Sequence, residues 1–207
     1  AENGTITIVY LVMGKSTALL EALNVGDDVL DVCGPLGHPT HIEKKGTVIC
    51  VGGGTGIAAM HHIAKGHARV GNKVVGVIGA RSKDLLLFEN ELKSFVNELL
   101  ISTDDGSYGH KGLVTELLRD RLEKDKDVFE VVAVGPVPMM AAVSVTENPA
   151  ARSFRAIVRD RRAASSWAST ADTVAARASL TSSWSSILGT MWISHPEWSI
   201  SSYVVSR

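Results

Sequence analysis

The chain has 207 residues, 45% of them hydrophobic, with 21 Lys and Arg against 22 Asp and Glu. This length can bury a substantial core, while a formal net charge of −1 excludes the strong electrostatic attraction typical of proteins that bind nucleic acid or anionic membrane surfaces. No apolar run reaches the roughly 18 residues of a membrane span, and two cysteines are too few for a disulfide framework, which favours a reducing, cytoplasmic setting.

The first 45 residues predict a few separate elements. Alternating β-branched residues indicate a strand over 5–12, and a helix over 18–23 follows, with Ser16 or Thr17 as its N-cap. A second strand is predicted over 29–33, ended by a turn over 34–37. Two strands and one helix cannot close a core, so we expect residues 1–45 to be the end of a domain whose beginning is missing.

Residues 46–146 follow a different, regular pattern. Short apolar runs predict strands over 47–51, 73–78, 98–102 and 129–134. Each run is followed by a predicted helix, over 57–70, 85–96, 113–122 and 137–145. Four β-α units in succession predict an α/β fold with a doubly wound parallel sheet.

The ends of these strands carry the residues that suggest a ligand, because ligands of open α/β sheets lie at the carboxyl edge. The loop Gly52–Gly56 lets backbone approach a phosphate at a helix start, although Ile57 stands where a G-x-G-x-x-G motif has its third glycine. A plain tight turn is the alternative. After the second strand, Ala80 and Arg81 replace the acidic residue of an NAD site, so the sequence favours NADP over NAD, unless Arg81 is merely solvated.

Two further loops lie at the same edge. Residues 104–112 combine paired carboxylates with three glycines, which suits a shaped loop against ribose or nicotinamide better than acid–base or metal chemistry. Gly135 and Pro136 open the last helix.

Gly14-Lys15-Ser16-Thr17 fails as a P-loop because Val9 stands where the first glycine belongs, but a helix start there can still hold a phosphate of another cofactor. The histidines and cysteines have no spacing typical of a metal site.

These motifs together resemble the ferredoxin–NADP reductase-like flavoproteins. The motifs are MGKST, GPLG, VGGGTGIA, IGARSKD, TDDGSYGHKG and VGPVPMM, in that order. Within this family the resemblance is nearest to the small subunit of NADH-dependent reduced ferredoxin:NADP oxidoreductase, also called the sulfide dehydrogenase small subunit. The electron-transfer subunit of dihydroorotate dehydrogenase is a near relative. The resemblance covers roughly residues 4–146 and implies a β-barrel FAD domain followed by an NAD(P) domain.

The resemblance also implies roles for particular residues. The FAD diphosphate would face Gly14, Lys15, Ser16 and Thr17, and the pyridine nucleotide diphosphate would face Gly53, Gly54, Thr55 and Gly56. Ala80 and Arg81 would lie by the adenosine ribose. Asp104, Asp105 and Gly106 would lie nearer the nicotinamide, with Gly135, Pro136 and Met139 lining the same cleft. Hydride transfer between nicotinamide and flavin would then need no acid–base residue, so none is predicted to be catalytic.

The implied partners are a large flavin and iron–sulfur subunit, in a hetero-oligomer, and ferredoxin. The implied cofactors are FAD, NADP or NAD, and a 2Fe–2S cluster held by four cysteines. Here the chain departs from the family, because no cysteine follows Cys50 and the first half of the FAD barrel is absent. The alternatives to an NAD(P)H-dependent flavin oxidoreductase subunit are the dihydroorotate dehydrogenase subunit, which would use NADH, and a non-catalytic dinucleotide-binding fragment.

Residues 147–207 differ in composition from everything before them. They contain all four Trp, 14 Ser and one Gly, whereas the other 18 Gly precede them and no Lys follows Lys126. The only periodicity is a possible strand over 154–158. Three interpretations remain open: an out-of-frame translation from near codon 147, a divergent Ser-rich tail, or a fused unrelated segment. The predicted organisation is therefore a barrel remnant over 1–45, an NAD(P) domain over 46–146 and an anomalous tail over 147–207.

Overall fold

A computed structural model of the chain describes residues 7–33, 39–146, 153–157 and 201–204, the last two segments as backbone. The chain forms two compact units, one made of Ala1–Pro39 with Ser183–Arg207 and the other of Thr40–Ser182. None of the helices in the described ranges combines the length and apolar character needed to cross a membrane.

The elements alternate along the larger unit. Its strands are β2 (Thr47–Gly53), β3 (Lys73–Ala80), β4 (Glu98–Thr103), β5 (His110–Lys111), β6 (Val128–Val134) and β7 (Ser153–Ile157). Its helices are α2 (Gly56–Arg69), α3 (Glu89–Lys93), α4 (Val114–Lys124) and α5 (Val137–Ser144), with a 3₁₀ turn at Lys83–Leu85. The smaller unit contains β1 (Thr7–Tyr10), α1 (Lys15–Glu21) and β8 (Ser201–Val204), and β1 pairs in parallel with β8.

The strands of the larger unit form one parallel sheet in the order β5-β4-β3-β2-β6-β7. The strands β3, β4 and β5 are therefore added in turn on one side of β2, and the strands β6 and β7 are then added on its other side. Helices α4 and α5 contribute to the apolar cluster on one face, and α2 and α3 to the cluster on the other. The predicted doubly wound parallel α/β fold is confirmed, and the barrel remnant stays a prediction.

The core forms because the central strands are apolar on both faces. In β2 the side chains of Val48 and Cys50 point to one face and those of Ile49 and Val51 to the other, and all four are fully buried or nearly so. Burying a valine or isoleucine contributes about 1.5–3 kcal/mol relative to exposure. The sheet edge that carries the loops is thus fixed on a rigid centre.

Two predictions for the smaller unit are wrong. Residues 29–33 do not form a strand, since no described strand pairs with them and the Leu30 side chain is 95% exposed. The N-cap of α1 is Gly14, not Ser16 or Thr17. Thr17 lies inside the first turn, where its hydroxyl accepts hydrogen bonds from the N–H groups of Met13 and Gly14.

The helix predicted over 85–96 is also wrong in most of its length. Phe88 has φ 57°, in the left-handed region, so the chain breaks there and α3 keeps five residues. The break lets the ring of Phe88 stack on His61 of α2 at 5.0 Å between centroids, and this packing outweighs the helical pattern.

The strand predicted over 154–158 is confirmed as β7, which pairs in parallel with β6 from Ser153 to Ile157. The predicted turn over 34–37 lies outside the described residues, as do residues 147–152, 158–200 and 205–207 of the anomalous tail, with its four Trp. Residues Ser201–Val204 of the tail form β8, a strand that the sequence did not predict. The three interpretations of the tail therefore stay open.

Candidate functional site

The strand order reverses between β2 and β6, and the loops after these two strands pack directly on each other. A Cβ on Gly56 would lie 2.5 Å from the carbonyl oxygen of Val134 and 2.7 Å from the Cα of Gly135. A Cβ on Gly53 would lie 2.4 Å from the Sδ of Met139. A side chain at Gly56 would collide with the backbone that follows β6, and one at Gly53 would have to displace the Met139 side chain, so these glycines allow the two loops to lie in contact.

Gly54 differs from its neighbours because the space around it is open. Its φ is +54°, and a Cβ there would meet no atom within 4 Å. Its N–H donates to the carbonyl of Gly79 at 2.9 Å, which fixes the loop to the end of β3. Beside it, α2 begins at Gly56 after an exposed Thr55. The N–H groups of Ile57 and Ala58 already donate to the carbonyls of Gly54 and Thr55 at 3.1 and 3.2 Å, so an anion would be bound by the N–H groups that precede them. The open backbone and the helix start are suited to an anionic group.

The residues predicted to face the adenosine lie at the end of the neighbouring strand. Ala80 is the last residue of β3 and is buried, whereas Arg81 follows it and is exposed. Within residues 39–146, the Arg81 guanidinium forms no ion pair with an acidic side chain. Arg81 is therefore a positive charge available to an anion at this edge.

The loop between β4 and β5 is held against the segment after β3. The N–H groups of Asp104 and Asp105 donate to the carbonyls of Ala80 and Arg81 at 3.1 and 3.2 Å. Hydrogen bonds from the hydroxyl and N–H of Ser107 lower the pKa of Asp105, so this exposed carboxylate is ionised at neutral pH.

Glycine allows the loop to close on its own strand. Gly109 has φ +68°, and a Cβ there would lie 2.3 Å from the carbonyl oxygen of Ile101. The loop backbone therefore lies directly on β4.

The structure does not bring all the predicted cleft residues together. Asp104, Asp105 and Gly106 follow β4, whereas Gly135, Pro136 and Met139 follow β6, and β3 and β2 lie between these two strands. Three strand spacings separate the two groups by about 14 Å at the sheet edge. The first group is next to Arg81, and the second is next to Gly53.

The four residues predicted to face FAD lie in the smaller unit. Gly14, Lys15 and Ser16 are exposed at the start of α1, and a Cβ on Gly14 would meet no atom within 4 Å. Thr17 is buried, and its hydroxyl also donates to the Gly14 carbonyl at 3.1 Å. The open positions for a ligand are thus the first three, with Thr17 shaping the turn.

Metal ligands do not converge anywhere in the described part of the chain, as no group of three or more His, Cys, Asp or Glu has a suitable arrangement. Cys50 is fully buried in β2, and burial raises the pKa of its thiol to about 12. Cys33 is exposed in the other unit. Each unit therefore contains one of these two cysteines, and neither unit contains a pair of thiol ligands.

Sequence reasoning missed the contacts that fasten the β4–β5 loop. The Tyr108 hydroxyl donates to Glu89 at 2.7 Å, and the Lys83 N–H donates to the Ser107 hydroxyl at 2.9 Å. The motif containing Tyr108 was recognised, but its partner lies 19 residues earlier, in a helix that sequence analysis placed wrongly. No local pattern could have identified this pair.

A parallel sheet wound on both faces, with glycine loops in contact where the strand order reverses, is the architecture of a dinucleotide-binding α/β domain. Comparison with known families agrees, because residues 50–145 match the family described as "Oxidoreductase NAD-binding domain". This part of the chain is therefore an oxidoreductase NAD-binding domain, of the ferredoxin reductase type.

Similar proteins extend the comparison beyond this domain. The chain is 45% identical over 139 residues to a Thermotoga maritima protein named "Dihydroorotate dehydrogenase B (NAD(+)), electron transfer subunit homolog", covering 67% of this chain and 49% of that protein. It is 40% identical over 146 residues to the corresponding electron transfer subunit of Geobacillus thermodenitrificans, covering 69% and 54%. The chain thus spans about half the length of these relatives.

A solved structure from work on flavin-based electron bifurcation by NADH-dependent reduced ferredoxin-NADP oxidoreductase matches with a TM-score of 0.58. The identity is 43%, over 65% of this chain and 48% of that one. The family resemblance drawn from the motifs is confirmed by these matches.

Proposed function

We propose that the chain is part of an electron-transfer flavoprotein subunit that passes hydride and electrons between NAD(P)H and FAD and on to an iron–sulfur partner. The observation that carries this proposal is the open, left-handed Gly54 beside the start of α2, at the point where the strand order reverses. The names of the similar proteins, which are electron transfer subunits, support the same function.

The residues present fit a dinucleotide whose diphosphate lies against Gly54, Thr55 and the α2 start. The adenosine then lies over β3 and β4, and the nicotinamide lies toward β6, near Pro136 and Met139. On this geometry Asp104 and Asp105 belong to the adenosine side rather than the nicotinamide side. Arg81 would pair with the 2′-phosphate of NADP, and Asp104 would accept a hydrogen bond from a ribose hydroxyl.

FAD fits the smaller unit at its exposed turn, where Gly14, Lys15 and Ser16 offer open backbone and a positive charge. When bound, FAD supplies the hydride and electron chemistry between the nicotinamide and the next acceptor. The protein's own contribution is to bind and orient, so none of its side chains needs to transfer a proton.

A 2Fe–2S cluster does not fit this chain. The cluster needs four thiolates, but the chain has two cysteines, Cys33 and Cys50. The Cys50 thiol is buried and keeps its proton. We therefore assign the iron–sulfur step to a partner, namely a large flavin and iron–sulfur subunit in a hetero-oligomer, with ferredoxin as donor or acceptor. A cytoplasmic location is part of the same proposal.

Nucleotide binding by the full chain tests the proposal directly. Calorimetric titration should give saturable binding of NADH or NADPH, and Gly54→Ala should weaken it about tenfold by placing a methyl group where the diphosphate approaches. Gly71→Ala is the matched control, since Gly71 also has positive φ (+83°) but lies at the opposite edge of the sheet. Equal effects of the two substitutions, or no binding at all, would reject the site.

Two further measurements separate the alternatives. Arg81→Ala should remove any preference for NADPH, whereas a dihydroorotate dehydrogenase type of subunit would prefer NADH from the start. Reduction of a dye by NAD(P)H with added FAD distinguishes an enzyme from a binding fragment. Saturable nucleotide binding without dye reduction would support the non-catalytic alternative.

A further inference from the structure

The side chain of Met139 lies between the two glycine loops at the reversal of strand order. Met139 is in the first turn of α5, and its Sδ packs on Gly53 at the end of β2 and on Gly135 after β6. A Cβ on Gly135 would lie 3.1 Å from this sulfur and 2.8 Å from the Met139 Cε, and a Cβ on Gly53 would lie closer still to the sulfur. The thioether therefore fits against two positions that have no side chain.

Met139 is also partly accessible, which distinguishes it from the core methionines. It is half-buried, whereas Met140 beside it and Met60 in α2 are 0% exposed. Met60 makes a comparable contact, since its Cε lies 3.0 Å from the position that a Cβ on Gly52 would take. The loops at this edge of the sheet thus pack on one methionine that solvent reaches and on one that it does not.

A thioether sulfur is oxidised by a peroxide that can reach it. A lone pair of the Met139 sulfur would form a bond to one oxygen of hydrogen peroxide while the O–O bond breaks. The sulfur loses two electrons to the peroxide, the transferred oxygen gives its proton to the departing hydroxide, and water leaves. The product is a sulfoxide, which is polar and carries one heavy atom more than the thioether.

From this geometry we infer that Met139 is an oxidation site through which a peroxide weakens the packing of the two glycine loops. The new oxygen enters the contact with Gly53 and Gly135, or the side chain turns out of that contact, and both responses separate the loops. Because Gly54 follows Gly53 directly, its open backbone moves with the loop. The effect on nucleotide binding rests on the proposed function, whereas the oxidation and the loss of packing do not.

Peptide mapping by mass spectrometry, after mild treatment of the full chain with hydrogen peroxide, tests the site itself. Met13, which is 80% exposed, should be oxidised first. Met139 should follow, about tenfold faster than Met60 and Met140. In urea all four should react at similar rates. Equal protection of Met139, Met60 and Met140 in the folded chain would overturn the inference.

Calorimetric titration with NADH before and after the treatment measures the consequence for the loops. Oxidation should weaken NADH binding about fivefold, and methionine sulfoxide reductases for both sulfoxide epimers should restore it. Met139→Leu keeps a side chain of similar volume without a sulfur, so the treatment should change its own NADH affinity less than about twofold. This variant retains Met13, Met191 and Cys33, so damage at any of them would still appear.

Met13→Leu is the matched control, since it removes a more exposed methionine from the smaller unit. Its NADH affinity should still fall about fivefold on oxidation. Met139→Gln places a polar group at the same position without any oxidant, and it should bind NADH about as weakly as the oxidised chain. An unchanged NADH affinity of the oxidised chain, equal losses on oxidation in the Met139→Leu chain, or equal binding by Met139→Gln and Met139→Leu would overturn the inference.

Urea unfolding separates this inference from the proposed function. Absence of NADH binding by the untreated chain would reject the nucleotide site, and the packing of the loops would then be tested by stability alone. Oxidation should lower the urea midpoint of the unmodified chain by about 0.5 M and leave that of Met139→Leu in place, because the sulfur that contacts Gly53 and Gly135 is present only in the first. Equal midpoints of the oxidised and untreated unmodified chains would overturn the inference.

Discussion

Substitution of Gly56 by alanine tests the contact between the two loops at the reversal of strand order. The new methyl carbon would lie 2.5 Å from the Val134 carbonyl oxygen and 2.7 Å from the Gly135 Cα, and both are backbone atoms that cannot rotate away. Overpacking of this kind costs about 1–3 kcal/mol, and we expect Gly56→Ala to lose about 3 kcal/mol because two strand ends must separate. Gly71→Ala provides the comparison, with about 1 kcal/mol from its left-handed backbone alone.

Urea unfolding followed by circular dichroism measures both losses. With a urea dependence of about 1.5–2 kcal/mol per molar, the midpoint should fall by about 1.5–2 M for Gly56→Ala and by about 0.5 M for Gly71→Ala. Gly56→Ala should also abolish nucleotide binding, since the α2 start moves with the loop. A midpoint for Gly56→Ala no lower than that for Gly71→Ala would refute the close approach of α2 to β6.

Three other predictions concern titration, charge and thiol chemistry. Burial of the ring, and secondly the charge of Lys65, lower the pKa of His61 to about 4. Its pKa in the unfolded chain is about 6.5, so the neutral imidazole stabilises the fold above pH 6.5, and about 1–2 kcal/mol of this stability is lost as the pH falls toward 4. His61→Gln should remove that difference between the free energies of urea unfolding at pH 7 and pH 4.5. Arg121→Met breaks the ion pairs with Glu98 at 2.9 Å and with Asp125 at 3.1 Å and should lower the free energy of unfolding by about 2 kcal/mol; an unchanged midpoint would show that both pairs are dispensable. Ellman's reagent should modify one thiol per native chain, the exposed Cys33, and two in urea, whereas fast reaction of two native thiols would contradict the burial of Cys50.

The central strands could be predicted from sequence because each is a nearly continuous apolar run. β2, β3, β4 and β6 begin within one residue of their predicted starts, but β2 and β3 each continue two residues further than predicted. Glycines 52 and 53 looked like the beginning of a loop, yet they pair in parallel with Ile78 and Gly79. Backbone pairing needs no side chain, so residue type did not mark the end of these strands.

The parts of the site that sequence could not predict depend on distant contacts. The order of strands in the sheet decides that Asp104 lies beside Arg81 rather than near Gly135, and motif order along the chain contains no such information. The break at Phe88 is decided by packing on α2, and the Tyr108–Glu89 bond by that break. Local patterns therefore gave the glycine loops and the cation at Arg81, but not the contacts that fasten the β4–β5 loop.

The close contact of Gly109 with the Ile101 carbonyl has a consequence for aggregation. In the described part of the sheet, β5 pairs only with Ser102 and Thr103, so most of β4 forms an outer edge. Unpaired edge carbonyls are templates for pairing with another chain. Because the Gly109 backbone lies on the Ile101 carbonyl, the loop that we propose to lie beside the adenosine also shields this edge. A side chain at position 109 would lift the loop and leave the sheet open to edge-to-edge association.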